Sequence, residues 1–397
     1  MSAIDYQQQP GVKFSELWTD KRSRGVIIQI IALIALLLFV AFIVNNTINN
    51  LENLGVETGY GFLGEPSNYD INQRPIEYDS RSTHARAMLV GIINTGLVAF
   101  CGIILATIIG FIAGVLRLSK NFLISKLVYC YVELTRNVPV LLQILLWHGI
   151  LVHSLPLPKA ALNPAEGFFL SNRGFSIPSP QLQPAFWGVV AALVIGIVGA
   201  IVFKRHAAKV QEETGKIYPV LSVGIGLVIG LPILTFLVLG MPVTWDMPAL
   251  KGFNFQGGLT VKPEFLALWF ALSVYTASFI AENVRAGIQS VSHGQTEAAY
   301  ALGLRPNWTM RLVILPQALR VIIPPLISQY LNLTKNSSLA IVIGYMDIVA
   351  TIGGISLNQT GRALECMSIV LSLYLCFSLF ISLVMNWYNK RVALVER

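Results

Sequence analysis

Eight long apolar stretches, separated by short polar segments, constrain this chain more than any other feature. They fall at about 25–45, 87–116, 138–156, 185–203, 219–240, 264–284, 310–332 and 366–388. A helix needs about 20 apolar residues to cross the hydrocarbon of a bilayer. The pattern therefore predicts an all-α membrane protein with about eight transmembrane helices. Only 12% of residues are charged, about half the share in soluble domains, so no single aqueous core can hide this surface. The region 333–365 is too polar for a plain span, yet it holds the apolar piece "LAIVIGYMDIVATIGGI". That piece is expected to be a re-entrant or interfacial helix sheltered by protein.

The basic residues test this topology. Lys21, Arg22 and Arg24 precede the first stretch, and Arg117, Lys120 and Lys126 follow the second. Lys204, Arg205, Lys209 and Lys216 join the fourth and fifth, and Lys390, Arg391 and Arg397 close the chain. With alternating spans all of these share one side, so both termini are expected in the cytoplasm. The opposite loops carry acids (Glu52, Glu57, Glu65, Asp70, Glu77, Asp79) or prolines, and the Asn46–Arg86 loop reads as irregular. The first stretch ends in Asn45-Asn46-Thr47 and lacks a small-residue cleavage site, so a retained helix is expected here and not a leader. Cys101, Cys130, Cys366 and Cys376 have no metal-ligand spacing and read as small apolar residues. The net charge of +8 is not gathered into a dense basic run, so nucleic acid is not an expected partner.

One segment is out of place. "SVSHGQTEAAYALGLRP", Ser290 to Pro306, is a short polar helix on the cytoplasmic side between two apolar stretches. Ser292 and Gln295 have capping-box spacing. Gly303 stands at a C′ position and Pro306 follows it. A helix of two or three turns is marginal alone in water. Ala298, Ala301 and Leu302 share a face on which another surface can dock; a plain connector is the other reading.

"EAAYALG", followed by Leu315-Pro316, resembles the EAA loop of bacterial ABC-importer permeases. "YVELTRNVPVLLQI", "YTASFIAENVRAGIQSV" and "PQALRVIIPPLISQYLNLTKNSSLA" resemble the polar-amino-acid branch, with Val138 where that branch usually has Thr. The resemblance covers about 87–156 and 264–390. The long form, with its insert, is similar to the larger membrane subunit of general L-amino-acid importers. It implies a type I permease core of five spans, plus one N-terminal and two inserted spans. The chain then divides at 1–86 (tail, first span and periplasmic loop), 87–156 (first core part), 157–263 (insert) and 264–397 (second core part with the coupling loop). It further implies a bacterial inner-membrane location, a second homologous permease subunit, an ATPase dimer and a periplasmic amino-acid-binding protein. Glu297, Ala298, Ala299, Ala301, Leu302, Gly303, Leu315 and Pro316 would couple to the ATPase. Glu133, Arg136, Asn137, Pro139 and Gln143 carry the family's other motif.

No phosphate-binding G-x-x-x-x-G-K-[ST] loop exists here; Gly215-Lys216-Ile217 lacks its other parts. ATP and Mg are thus expected on the partner ATPase, with no cofactor, metal or catalytic residue in this chain. Glu133 and Arg136, three apart, can pair on one helix face, and Pro139 reads as a first-turn proline of the third span. Polar residues within spans are candidates for the substrate path: Asn94, Thr95, Thr276, Ser278, Glu282, Asn283, Lys335, Asn336, Ser337 and Ser338. Thr276 and Ser278 can instead bond back to their own helix, Glu282 can serve as an interface residue, and "TKNSS" can be an exposed outer loop. His148 and His153 read as packing residues. The alternative function is an ion-coupled secondary transporter, which usually shows internal repeats; none is visible.

Overall fold

A computed structural model describes residues 21–53, 55 and 59–392. The N-terminal tail, Glu57, Arg397 and both extreme termini lie outside the described residues. Among those described, seven helices are long and apolar enough to cross a membrane, or eight if a sharply bent helix pair counts as one span. Helix α1, Lys21–Asn53, is exposed along its apolar length, as expected of a helix whose partner is lipid. It runs past Asn45-Asn46-Thr47, where the sequence suggested an end. The Thr47 hydroxyl bonds back to the carbonyl of Ile43 at 2.8 Å, so this polar step stays inside the helix.

Helix α2, His84–Leu116, is capped by Thr83, whose side chain accepts from the backbone N–H of Arg86. The third span departs from expectation. Helix α3, Phe122–Asn137, and helix α4, Val140–His153, meet at 106°. Val138 is extended at φ −99°, ψ 127°, because the ring of Pro139 bars the residue before it from the helical region. Pro139 is therefore the N-cap of α4 and not its first-turn residue.

The insert supplies α5, Phe186–Thr214, and a return helix made of α6, Val220–Ile225, a widened π turn at Gly226–Gly230, and α7, Leu231–Val238. A second π turn, Met310–Ile314, stands in the same relation to Pro316 as the first does to Pro232. In each, the carbonyl four residues before the proline has lost its N–H partner and is crowded by the ring, and the turn widens around it.

The loops that flank the helices of the insert hold short strands, on which the sequence reading is silent. They form β1 (Leu162–Ala165), β2 (Phe168–Ser171), β3 (Gly174–Ile177), β4 (Ser179–Leu182), β5 (Val243–Asp246), β6 (Ala249–Lys251), β7 (Asn254–Gln256) and β8 (Leu259–Val261). All pairings are antiparallel: a four-stranded sheet in the order β1-β2-β3-β8, and the pairs β4-β5 and β6-β7. Strand β8 leads directly into α8, Pro263–Gln289, which ties this small β region to the bundle.

Helix α8 is the most buried element of the bundle, lined by Leu268, Ala271, Leu272, Ala277, Ile280 and Val284. It packs against α2 along Gly110 and Gly114. A Cβ at Gly114 would sit 2.6 Å from the Val284 Cβ and 2.7 Å from the Ala281 carbonyl. Lipid offers no hydrophobic drive to bring helices together, so close backbone approach over small residues supplies the packing.

After α8 come α9 (His293–Ala301), α10 (Pro306–Thr309), the second π turn, and α11 (Leu315–Asn336), which continues as a 3-10 turn to Ile343. Residues 344–362 then fold back through a π stretch, Val349–Ser356, and α12 (Leu357–Thr360) before α13, Ala363–Val392. Tyr345, Ile348, Thr351 and Ile352 are buried there, so the expected sheltered non-spanning segment is present. The 59–83 loop is irregular but not loose. Its Phe62, Ile71 and Tyr78 are buried, and the Tyr78 hydroxyl donates to the Tyr69 carbonyl at 2.8 Å. They pack on Ala87, Val90, Met346 and Ile348, covering the N-terminal end of α2 and the fold-back segment.

Candidate functional site

Helix α9 ends in a complete Schellman motif. Gly303 takes φ +75°, its N–H bonds to the Tyr300 carbonyl at 2.9 Å, and the Leu304 N–H bonds to the Ala299 carbonyl at 3.1 Å. The N-terminus is simpler than the sequence suggested. Ser292 is the N-cap but its side chain makes no cap bond, and Gln295 instead accepts from Gln317 Nε2 at 3.1 Å. The expected capping box is replaced by a tie to α11, because the side chain that would close it reaches across to a neighbour.

Ala299 alone of the motif faces inward and is buried. Glu297, Ala298, Ala301, Leu302 and Gly303 are exposed, and Leu302 is 82% exposed. A short helix thus turns one alanine to the bundle and a small-residue, leucine-tipped face outward. Leu315 is half-buried and Pro316 exposed, at the start of α11.

Four charged groups knit the helices behind this face. Glu282 on α8 pairs with Arg117 at the end of α2 and with Arg285 one turn further on. Arg117 also lies 3.7 Å from Glu133 on α3. The Glu133–Arg136 pair is therefore replaced by Glu133–Arg117, while Arg136 sits 5.2 Å over the ring of Phe279. Once α2 delivers Arg117, one cation serves two acids from different helices. Glu282 belongs to this interface cluster, the second of its two sequence readings.

Gln143 fastens the bend between α3 and α4. It is buried, and its Nε2 donates to the carbonyls of Thr135 and Val138, each at 2.9 Å. These carbonyls lost their helical partners at the break. Asn137 is exposed beside it. Gln143→Leu leaves two buried acceptors unpaired, at about 1–3 kcal/mol for each. The variant should lower the thermal unfolding midpoint of the purified protein by several degrees; an unchanged midpoint would mean that these bonds contribute nothing.

The substrate-path candidates separate into two groups. Asn94, Thr95 and Ser337 come together around the fold-back segment. The Asn94 Nδ2 donates to the carbonyls of Gln73 (2.8 Å) and Met346 (2.9 Å), and Thr95 Oγ1 accepts from the Ile348 N–H at 3.1 Å. Asp347, fully buried, accepts from the Ala350 N–H at 2.9 Å and the Tyr374 hydroxyl at 3.1 Å, and Tyr374 in turn lies 3.3 Å from Ser337. Among the described residues, Asn94 Oδ1 and Gln73 Oε1 are buried without a hydrogen-bond partner. Asp347, Gln73 and Tyr374 escaped the sequence reading; a lone acid inside "GYMDIVATI" was the available signal.

The other candidates lie along α8 and the end of α11. Ser278 bonds back to the Tyr275 carbonyl at 2.6 Å, Thr276 is buried, and Asn283 keeps a buried Nδ2 without a partner among the described residues. "TKNSS" is not an exposed loop: it is the helical end of α11 and the start of the 3-10 turn. Lys335 is exposed, Asn336 half-buried, and Ser338 bonds back to the Lys335 carbonyl at 2.8 Å. No cluster of three or more His, Cys, Asp or Glu suited to a metal occurs among the described residues.

Comparison with known proteins places this geometry. Residues 214–394 match the family described as binding-protein-dependent transport system inner membrane component. The chain is 49% identical to the general L-amino acid transport system permease protein AapQ of Rhizobium johnstonii, over 98% of this chain and 96% of the relative. It is 46% identical to the putative amino-acid ABC transporter permease protein YhdX of Escherichia coli, over 97% and 98%. It is 45% identical to the glutamate/glutamine/aspartate/asparagine transport system permease protein BztB of Rhodobacter capsulatus, over 98% of each.

Proposed function

Because the chain belongs to the amino-acid permeases of binding-protein-dependent ABC importers, we propose that it is the membrane subunit lining the L-amino-acid path in such an importer, and that α9 is its contact with a separate ATPase. The observation that carries this reading is α9 itself, a nine-residue capped stub whose leucine tip is left to solvent. Such a stub gains from a partner what it cannot supply alone. The tie from Gln295 to Gln317 and the charged cluster of Glu282, Arg117, Arg285 and Glu133 give motion of α9 a rigid route into α11, α8, α2 and α3.

In this reading both termini and α9 lie in the cytoplasm of a bacterial inner membrane. A second permease subunit and a periplasmic binding protein complete the assembly, and the ATPase dimer holds ATP and Mg. The core is 87–156 with 264–397, and the 157–263 insert packs at its edge. Asn94, Thr95 and the Asp347 network stand as a buried polar centre toward the outer side of the path.

The test is reconstitution of the complex purified from native membranes, with uptake of a panel of labelled L-amino acids. Uptake should require both ATP and the binding protein. Uptake at full rate without the ATPase, driven by an ion gradient, would overturn the proposal in favour of a secondary transporter.

A further inference from the structure

A second feature at the same end of the bundle is not accounted for by transport or by α9. The turn from α2 to α3 and the adjoining face of α8 enclose a pocket of about 530 Å³. Arg117, Lys120, Lys126 and Arg285 line it, with Ser125 and Tyr129. Arg117 and Lys126 both approach the Tyr129 ring, at 5.1 and 5.0 Å.

The acids nearby are Glu282 and Glu133, and both are engaged by Arg117 or Arg285. Lys120 and Lys126 are exposed and form no ion pair among the described residues. The pocket thus holds an excess of two positive charges. The start of α3 adds its positive end, with Asn121 capping the Ile124 N–H at 3.2 Å.

What adjoins the pocket identifies its occupant. Phe122, 80% exposed, follows directly after Asn121, and Leu123 and Leu127 are also exposed on α3. Lys120 in the turn and Lys126 on α3 thus flank the exposed Phe122 and Leu123 at the end of α2, the mix of cationic and apolar side chains that suits a membrane interface. A soluble anion would match the charge but not the apolar rim. A diacyl lipid with an anionic headgroup matches both.

We propose that this pocket binds the headgroup of an anionic phospholipid, with Lys120 and Lys126 on the phosphate and Phe122 and Leu123 against the acyl chains. The site needs α2 and α8 to be membrane spans, and is independent of the proposed ATPase contact. A lipid bound there bridges α2, α3 and α8 through the cluster that includes Arg285.

Native mass spectrometry of the complex, released from mixed phosphatidylglycerol and phosphatidylcholine nanodiscs, tests this. The wild type should retain phosphatidylglycerol in preference to phosphatidylcholine. Lys120→Gln/Lys126→Gln should reduce that preference about tenfold, since headgroup-facing lysines each contribute on the order of a few-fold or more. Lys204→Gln/Lys209→Gln, equally basic but away from this pocket, should leave it unchanged. Equal retention by wild type and the Lys120/Lys126 variant would overturn the proposal. So would loss of ATPase co-purification with lipid retention intact, which would assign the pocket to an acidic protein partner. ATP-driven uptake by the wild type, measured in parallel, keeps failure of this site distinct from failure of the importer reading.

Discussion

Leu302→Asp is expected to abolish ATP-driven uptake while leaving the chain folded in the membrane. The wild-type side chain is 82% exposed, so the substitution removes almost no internal packing and surface changes of this kind cost little stability. Its effect falls on whatever covers the leucine. A leucine tip buried in an apolar socket is worth about 1.5–3 kcal/mol, roughly a 10- to 150-fold weakening when lost. An aspartate adds a buried charge without a partner. It also places that charge at the negative end of α9.

Three measurements separate these effects: the amount of chain in the membrane, the ATPase co-purifying with it, and the uptake rate. The first should be unchanged and the other two should fall together. Leu302→Met, which keeps volume and apolarity, should restore both. If Leu302→Asp imports at the wild-type rate, α9 is a connector and the coupling contact lies elsewhere. Gly303→Val probes the same helix from its backbone. A β-branched residue at φ +75° costs about 1–2 kcal/mol, and should shift the stub before it affects any span.

The spans were legible because lipid as solvent leaves a long, simple signature: about twenty apolar residues cannot be hidden otherwise. The end of α9 was legible for a similarly local reason, since Gly303 supplies the left-handed residue and Pro306 opens the next helix. What escaped reading depended on partners distant in sequence. Glu133 had a plausible partner three residues away, but Arg117, brought in by α2, takes it. Ser292 and Gln295 had capping-box spacing, but Gln317 takes the glutamine. Pro139 marked a boundary, and only the backbone shows that the break turns the chain through 106°. The strands of the insert are three or four residues long, too short for an alternating pattern to declare itself. The Asp347 centre was missed because its acid lies in a segment that does not span, where hydropathy says least. The loop that covers it, with Gln73 and Tyr78, reads as irregular and becomes ordered only by packing on α2 and the fold-back segment.

The second large effect concerns the core itself. Gly110→Leu/Gly114→Leu should lower the folded yield sharply and remove the single sharp elution peak of the purified protein in mild detergent. A Cβ at Gly110 would lie 2.6 Å from the Ile280 side chain and 3.0 Å from the Ala277 carbonyl, and Gly114 meets Val284 and Ala281 in the same way. Two of these four neighbours are backbone, which cannot swing aside as a side chain can. The helices would have to separate along the most extensive contact of α8, and overpacking alone costs about 1–3 kcal/mol at each position. The sign of the result is informative. Leucine is both a better helix former than glycine and more favourable in hydrocarbon, so a bundle held only by insertion of apolar helices would be stabilised by the change. A bundle held by close backbone packing would be destabilised. Gly224→Leu supplies the control: it lies on α6, where an added Cβ meets nothing within 4 Å, and it should leave yield and elution unchanged. Equal stability of the double variant and the wild type would mean that α2 and α8 do not meet along Gly110 and Gly114, and the charged cluster that depends on their meeting at Arg117 and Glu282 would lose its footing with them.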